Sequence, residues 1–197
     1  MSSKLKKKNK SKNKHTSIIC DCEKKAFTAQ DAVGWMSYLA LLDVLGYKIK
    51  RLKKYHEHVN ALVLAHESGN IFSGEMDVRC KKIGIDAMKW IVSIPEKDKV
   101  ALARPHTIIT KQEMMYVDAG ILNIVLPMII TLKEVFNVSL PGIKRVMEHM
   151  KNSISCYGTK QPKSKQYYLS NDMIFKIFRD ELKLDLVTGE KVIGGIA

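Results

Sequence analysis

The residues of this chain able to do chemistry are chiefly its cysteines and histidines, and their spacing decides what they can do. Cys20 and Cys22 flank Asp21, with His15 upstream and a second pair, His56 and His58, around Glu57. Zinc-binding cysteine pairs usually have about two to four residues between them, whereas Asp21 alone separates these two. Thiols at the edge of the folded region account for the pair better than a metal site. His66-Glu67 opens like a zinc-protease motif, but Asn70 stands where the second histidine belongs. His149 and Cys156 lack a third group that would orient them as base and nucleophile, and Cys80 and Cys156 read as small core residues. No glycine pair precedes Lys-Ser or Lys-Thr, and Gly194-Gly195 lies at the end of the chain, so no phosphate loop is identified. No catalytic residue, metal ligand or cofactor is assigned, and the chain reads as non-enzymatic.

The most informative pattern covers residues 132–147, Leu-Lys-Glu-Val-Phe-Asn-Val-Ser-Leu-Pro-Gly-Ile-Lys-Arg-Val-Met. It reads as helix, turn, helix. Asn137 suits the left-handed conformation of a tight turn, Val138 plugs the space between two helices, and Ser139 caps the second helix. If Ile143, Val146, Met147 and Met150 face inward, Lys144, Arg145 and His149 project outward at about 100° per residue.

Through Asn137, Val138, Ser139, Ile143, Arg145 and Val146, this stretch resembles the helix-turn-helix of bacterial and phage repressors. Lys133 stands where that family usually carries a small alanine, and Gly142 where threonine is more usual. Residues 117–186 also resemble, in layout, small proteins of Firmicute phages, where an apolar helix leads to Phe-Gly-Phe-Gly and an arginine-bearing helix. Here Phe136-Asn-Val-Ser139 takes that place, followed by Arg145 and a capped helix containing Arg179-Asp-Glu-Leu182. The first resemblance implies DNA recognition by Lys144, Arg145 and His149; the second implies no activity.

Charge points the same way. Net charge is +13, and residues 1–17 contribute seven lysines (Lys4, Lys6, Lys7, Lys8, Lys10, Lys12, Lys14) with no acid, leaving +6 on the rest. Such an excess attracts polyanions by counterion release, without sequence information. Further basic clusters are Lys48, Lys50, Arg51, Lys53 and Lys54, and the group Lys160, Lys163 and Lys165.

The elements that must position these residues are helical. Residues 1–17 have too little apolar content to offset ordering entropy and are expected to be a disordered tail. Thr28 is expected to cap a first helix ending at Gly46; a second, amphipathic helix follows over residues 47–66, with stop signals at Ser68-Gly69-Asn70. Ser73 is expected to start a third helix running to Pro95 along Met76, Cys80, Ile83, Ala87, Trp90 and Ile91, while residues 96–110 suggest no single element. Thr110 with Glu113 forms a capping box for a helix through the apolar residues 119–132, interrupted by Pro127 as a kink or as two abutting helices. Pro141 suits the first turn of the next helix, and Ser170 caps the last, with Ile174, Ile177, Phe178 and Leu182 buried.

The resulting expectation is an all-α fold: a disordered tail over residues 1–17, one helical domain of about six helices over residues 26–186, and a loose end over 187–197. The run 119–132 is shorter than the roughly 20 residues of a membrane span and reads as a core helix. Four scattered cysteines and a tail without an export signal suggest a reducing, cytoplasmic setting. The function expected is a nucleic-acid-binding or regulatory protein, with DNA as favoured partner and Lys6, Lys7 and Lys8 among the phosphate contacts. A protein-binding inhibitor or adaptor acting on an acidic partner is the alternative.

Overall fold

The computed structural model describes the backbone of residues 2–103, 109–159 and 169–182, and within these segments the side chains of residues 22–180. Among the described residues there are eight helices and no strand: α1 (Ser2–Leu45), α2 (Ile49–Glu67), α3 (Ser73–Ile83), α4 (Ala87–Val92), α5 (Glu96–Ala103), α6 (Lys111–Glu134), α7 (Leu140–Cys156) and α8 (Asn171–Leu182). The all-α class is as the apolar periodicity implies. The helix number exceeds the expected six for reasons that are local and identifiable.

Helix α1 reaches back to Ser2, across the residues expected to be disordered and well before Thr28. A helix already nucleated by its buried part extends without a second nucleation cost, and lysine is a good helix former. Thr28 therefore does not cap; its hydroxyl donates to the Lys24 carbonyl at 2.8 Å, one turn back. The end at Gly46 (φ 62°) is as expected from glycine's tolerance of the left-handed region. The long third helix is in fact two. Gly84 adopts φ 92°, and the Asp86 side chain accepts from the Lys89 N–H at 2.9 Å to start α4. At the start of α3 the capping position is Phe72, whose N–H donates to Glu75 at 3.1 Å.

The unassigned stretch after Pro95 is α5, held by a long-range ion pair. Lys99, buried at 4% exposure, places its ammonium 2.8 Å from Asp118 of α6. A buried ammonium needs such a partner, and no periodic pattern announces it.

Helix α6 is the centre of the fold. It packs most extensively against α1 and also touches α2, α3, α4, α5 and α7. Its start follows the expected capping box: the Glu113 N–H donates to Thr110 Oγ1 at 3.2 Å, and the Thr110 N–H donates to Glu113 Oε2 at 2.8 Å. The Lys25 ammonium of α1 pairs with the same carboxylate. That hydrogen bond, then the Thr110 N–H, hold the Glu113 carboxyl below its usual range. Every residue from 125 to 132 is buried, and Pro127 lies inside one helix rather than between two. By length and composition α6 is the one helix among the described residues able to cross a membrane, although 61% of its apolar window is buried against the other helices. Where α1 crosses α6, a Cβ on Gly120 would lie 2.3 Å from the Ala26 carbonyl oxygen, so the backbones meet in direct contact.

Helix α8 packs on α1. Phe175 stands edge-on to Trp35 (centroids 5.0 Å apart, 90°) and Phe178 edge-on to Tyr38 (6.3 Å, 86°), with Ile174 and Phe178 buried. The Ser170 hydroxyl accepts from the Met173 N–H at 3.4 Å, at the expected cap.

Candidate nucleic-acid interface

The corner between α6 and α7 has the local geometry read from its residues. Asn137 is the one non-glycine residue with positive φ among those described, at 49°. Its amide side chain makes that conformation cheaper than it is for other L-residues. Ser139 caps α7, its Oγ accepting from the Gly142 N–H at 3.3 Å, and Pro141 follows in the first turn. Val138 folds back over this turn: a Cβ on Gly142 would lie 2.8 Å from Val138 Cγ1. Glycine at position 142 thus makes room for Val138.

Helix α7 buries Ile143, Val146, Met147, Met150 and Ile154, mainly against α1. Lys144 and Arg145 are exposed on its other side. Lys144 borders a shallow depression that also includes Asp86 and Glu148, so acid and base alternate there. His149 is not a free outward group. Its Nε2 lies 3.0 Å from an Asp43 carboxylate oxygen of α1, and the Ser153 hydroxyl donates to its backbone carbonyl at 3.0 Å. His149 therefore ties α7 to α1, through a partner 106 positions away that no local pattern reveals.

Helix α2 carries Lys50, Arg51, Lys53 and Lys54 exposed, with Lys48 exposed at its N-cap, while Leu52, Tyr55, Val59 and Val63 are buried. Two of these cations lean on aromatic rings at the α6–α7 corner. The Lys54 ammonium is 5.8 Å from the Phe136 ring centre, and the Arg51 guanidinium 5.3 Å from that of Tyr47. Tyr47 and Phe136 are themselves packed at 5.3 Å. The fold thus joins the basic end of α2 to the turn from which α7 starts, two clusters far apart in sequence. The aromatic pair that joins them was not singled out by sequence, because residues 47 and 136 share no local pattern.

Lys6, Lys7 and Lys8 belong to the helical backbone of α1, but their side chains lie outside the described residues, as do Lys160, Lys163, Lys165 and residues 187–197. Among the cysteines, Cys22 and Cys80 are buried while Cys156 is exposed, which corrects its reading as a core thiol. Cys80 Sγ donates to the Leu126 carbonyl at 3.7 Å, and burial pushes its thiol pKa up to about 12. Among the described residues no three His, Cys, Asp or Glu side chains gather as metal ligands do.

No family model, no curated protein and no solved structure matches the chain.

Proposed function

We propose that this protein is a non-enzymatic nucleic-acid-binding regulator with duplex DNA as its favoured partner, of the kind phages and mobile elements carry, acting in the cytoplasm. The observation that carries the reading is the α6–α7 corner. Asn137 at positive φ, the Ser139 cap of α7 and the exposed cations Lys144 and Arg145 follow the turn whose Phe136 ring Lys54 of α2 overlies. In this reading Lys144 and Arg145 approach base edges in the major groove. Lys48, Lys50, Arg51, Lys53 and Lys54 meet the backbone phosphates, and Lys6, Lys7 and Lys8 add affinity without sequence preference. His149 positions α7 rather than touching a base.

Purification at low and at high salt tests this. The expected result is nucleic acid accompanying the protein at low salt and leaving it at high salt, with log affinity falling linearly in log salt. Protein free of nucleic acid at low salt, and without affinity for added duplex, would contradict the reading. The second reading, an acidic protein partner, is favoured by exposed Val78 beside Arg79 and Lys82 on α3, with Phe72 exposed at its N-cap. Its sign is a stoichiometric protein companion that survives nuclease treatment.

A further inference from the structure

On the side of α1 facing α2 there is a groove of about 180 Å³. By the same measure a single water needs only about 15 Å³, so the space suits a small organic molecule. Its apolar lining includes Val63 and Ile124, its aromatic lining includes Trp35, Tyr38 and His56, and Asp31 is its one carboxylate. The rings are held in place. Trp35 is braced edge-on by Phe175, and the Tyr38 hydroxyl is hydrogen-bonded to His56 Nδ1 at 2.5 Å. Trp35 and Tyr38 lie 5.8 Å apart at 37°, as a splayed pair of π surfaces.

The charges are unusual for so basic a chain. With 33 lysines and arginines in the sequence, none lines this groove among the described residues. Among the described residues Asp31 makes no ion pair or side-chain hydrogen bond, and partial burial raises its carboxyl pKa. An unpaired carboxylate one helical turn from Trp35, beside π faces, is complementary to a positive charge attached to an apolar body. Asp31 is exposed at the edge of the groove, so anions are repelled there and a neutral molecule leaves its carboxylate to water, whereas a cation gains a charge partner.

We propose that the groove between α1 and α2 is a binding site for a small organic cation, an ammonium carried on an aromatic or aliphatic group, with Asp31 as its counter-ion and Trp35 and Tyr38 as its π partners. This is separate from the basic corner of α6 and α7 and does not depend on nucleic-acid binding.

Benzylamine and its neutral analogue benzyl alcohol, titrated into the full chain, test the proposal through the indole N–H resonances of the two tryptophans. The expected result is a saturable shift of the Trp35 signal with benzylamine, an unmoved Trp90 signal, and affinity for the alcohol lower by about tenfold. Asp31→Asn should remove that preference. Gly34→Leu supplies a second variant. Gly34 lines the groove, and a Cβ there would have nothing within 4 Å, so the new side chain fills space without a backbone clash. It should abolish binding of both compounds with the melting temperature unchanged or raised, since leucine favours helix over glycine. Equal affinity for amine and alcohol, no saturable shift at Trp35, or unaltered binding by the folded variants would overturn the proposal.

Discussion

Helices α6 and α7 are consecutive and joined by a tight turn, yet they use their surfaces in opposite ways. Helix α6 is buried all round over residues 125–132, whereas α7 hides one stripe and exposes Lys144 and Arg145. A helix stretch buried on every side by its neighbours serves packing, and substitutions on it report stability. A helix with one apolar stripe has a second face free to meet a partner. The difference separates where this chain holds itself together from where it can act.

The largest effect is expected within α6. Ile129 is fully buried, and Ile129→Asp would strand a carboxylate in the core at a cost of roughly 4 kcal/mol or more, enough to abolish cooperative thermal unfolding. Ile124 of the same helix is only partly buried, beside the α1–α2 groove, so Ile124→Asp should lower stability by about 1 kcal/mol and leave a folded protein. Similar melting curves for the two variants would erase the distinction between the buried centre of α6 and its edge.

Gly120→Ala comes next. On an open helix the change would stabilise by about 1 kcal/mol. At this crossing the added carbon meets the Ala26 backbone, and a loss of about 1 to 3 kcal/mol in denaturant unfolding is expected instead. A gain in stability would show that α1 and α6 do not meet so closely.

Acid should act at the beginning of α6. The Glu113 carboxyl is lowered in the folded state by Lys25 and Thr110, so its stabilisation is complete above the ordinary carboxylate pKa and is lost as pH falls through the folded value. Glu113→Gln should cost about 0.5 to 1 kcal/mol at neutral pH, as solvent screens the pair and Gln keeps the capping contact, and the gap from the wild type should close on acidification. A gap constant with pH would contradict the charged contact.

What the residues disclosed in advance are the features settled by neighbours along the chain. Gly46 stopping α1, the Thr110–Glu113 box, Asn137 in the left-handed region and Ser139 capping α7 each rest on hydrogen bonding or steric freedom within a few positions. The features that stayed hidden depend on distant partners. Helix α5 is anchored by the pairing of Lys99 with Asp118, His149 is held by Asp43, and the α2 cations reach Phe136 and Tyr47 only after the chain has folded. Gly84 is the informative exception. It is a local signal, but the apolar stripe running from Met76 to Ile91 masks the break it makes.

The smallest effect on stability and the most direct test of function fall on Arg145. It is exposed on α7 and away from the buried stripe, so Arg145→Ala should leave the melting temperature within the range of an ordinary surface change, about 0.5 kcal/mol or less. Duplexes selected for binding to the wild type, and scrambled versions of them, provide the decisive measurement at one fixed salt concentration. The wild type should prefer the selected sequence, and Arg145→Ala should weaken that binding by about 1 to 3 kcal/mol while barely affecting binding to the scrambled duplex. Equal affinity of the wild type for both duplexes, or an equal loss on both in the variant, would contradict base recognition by α7.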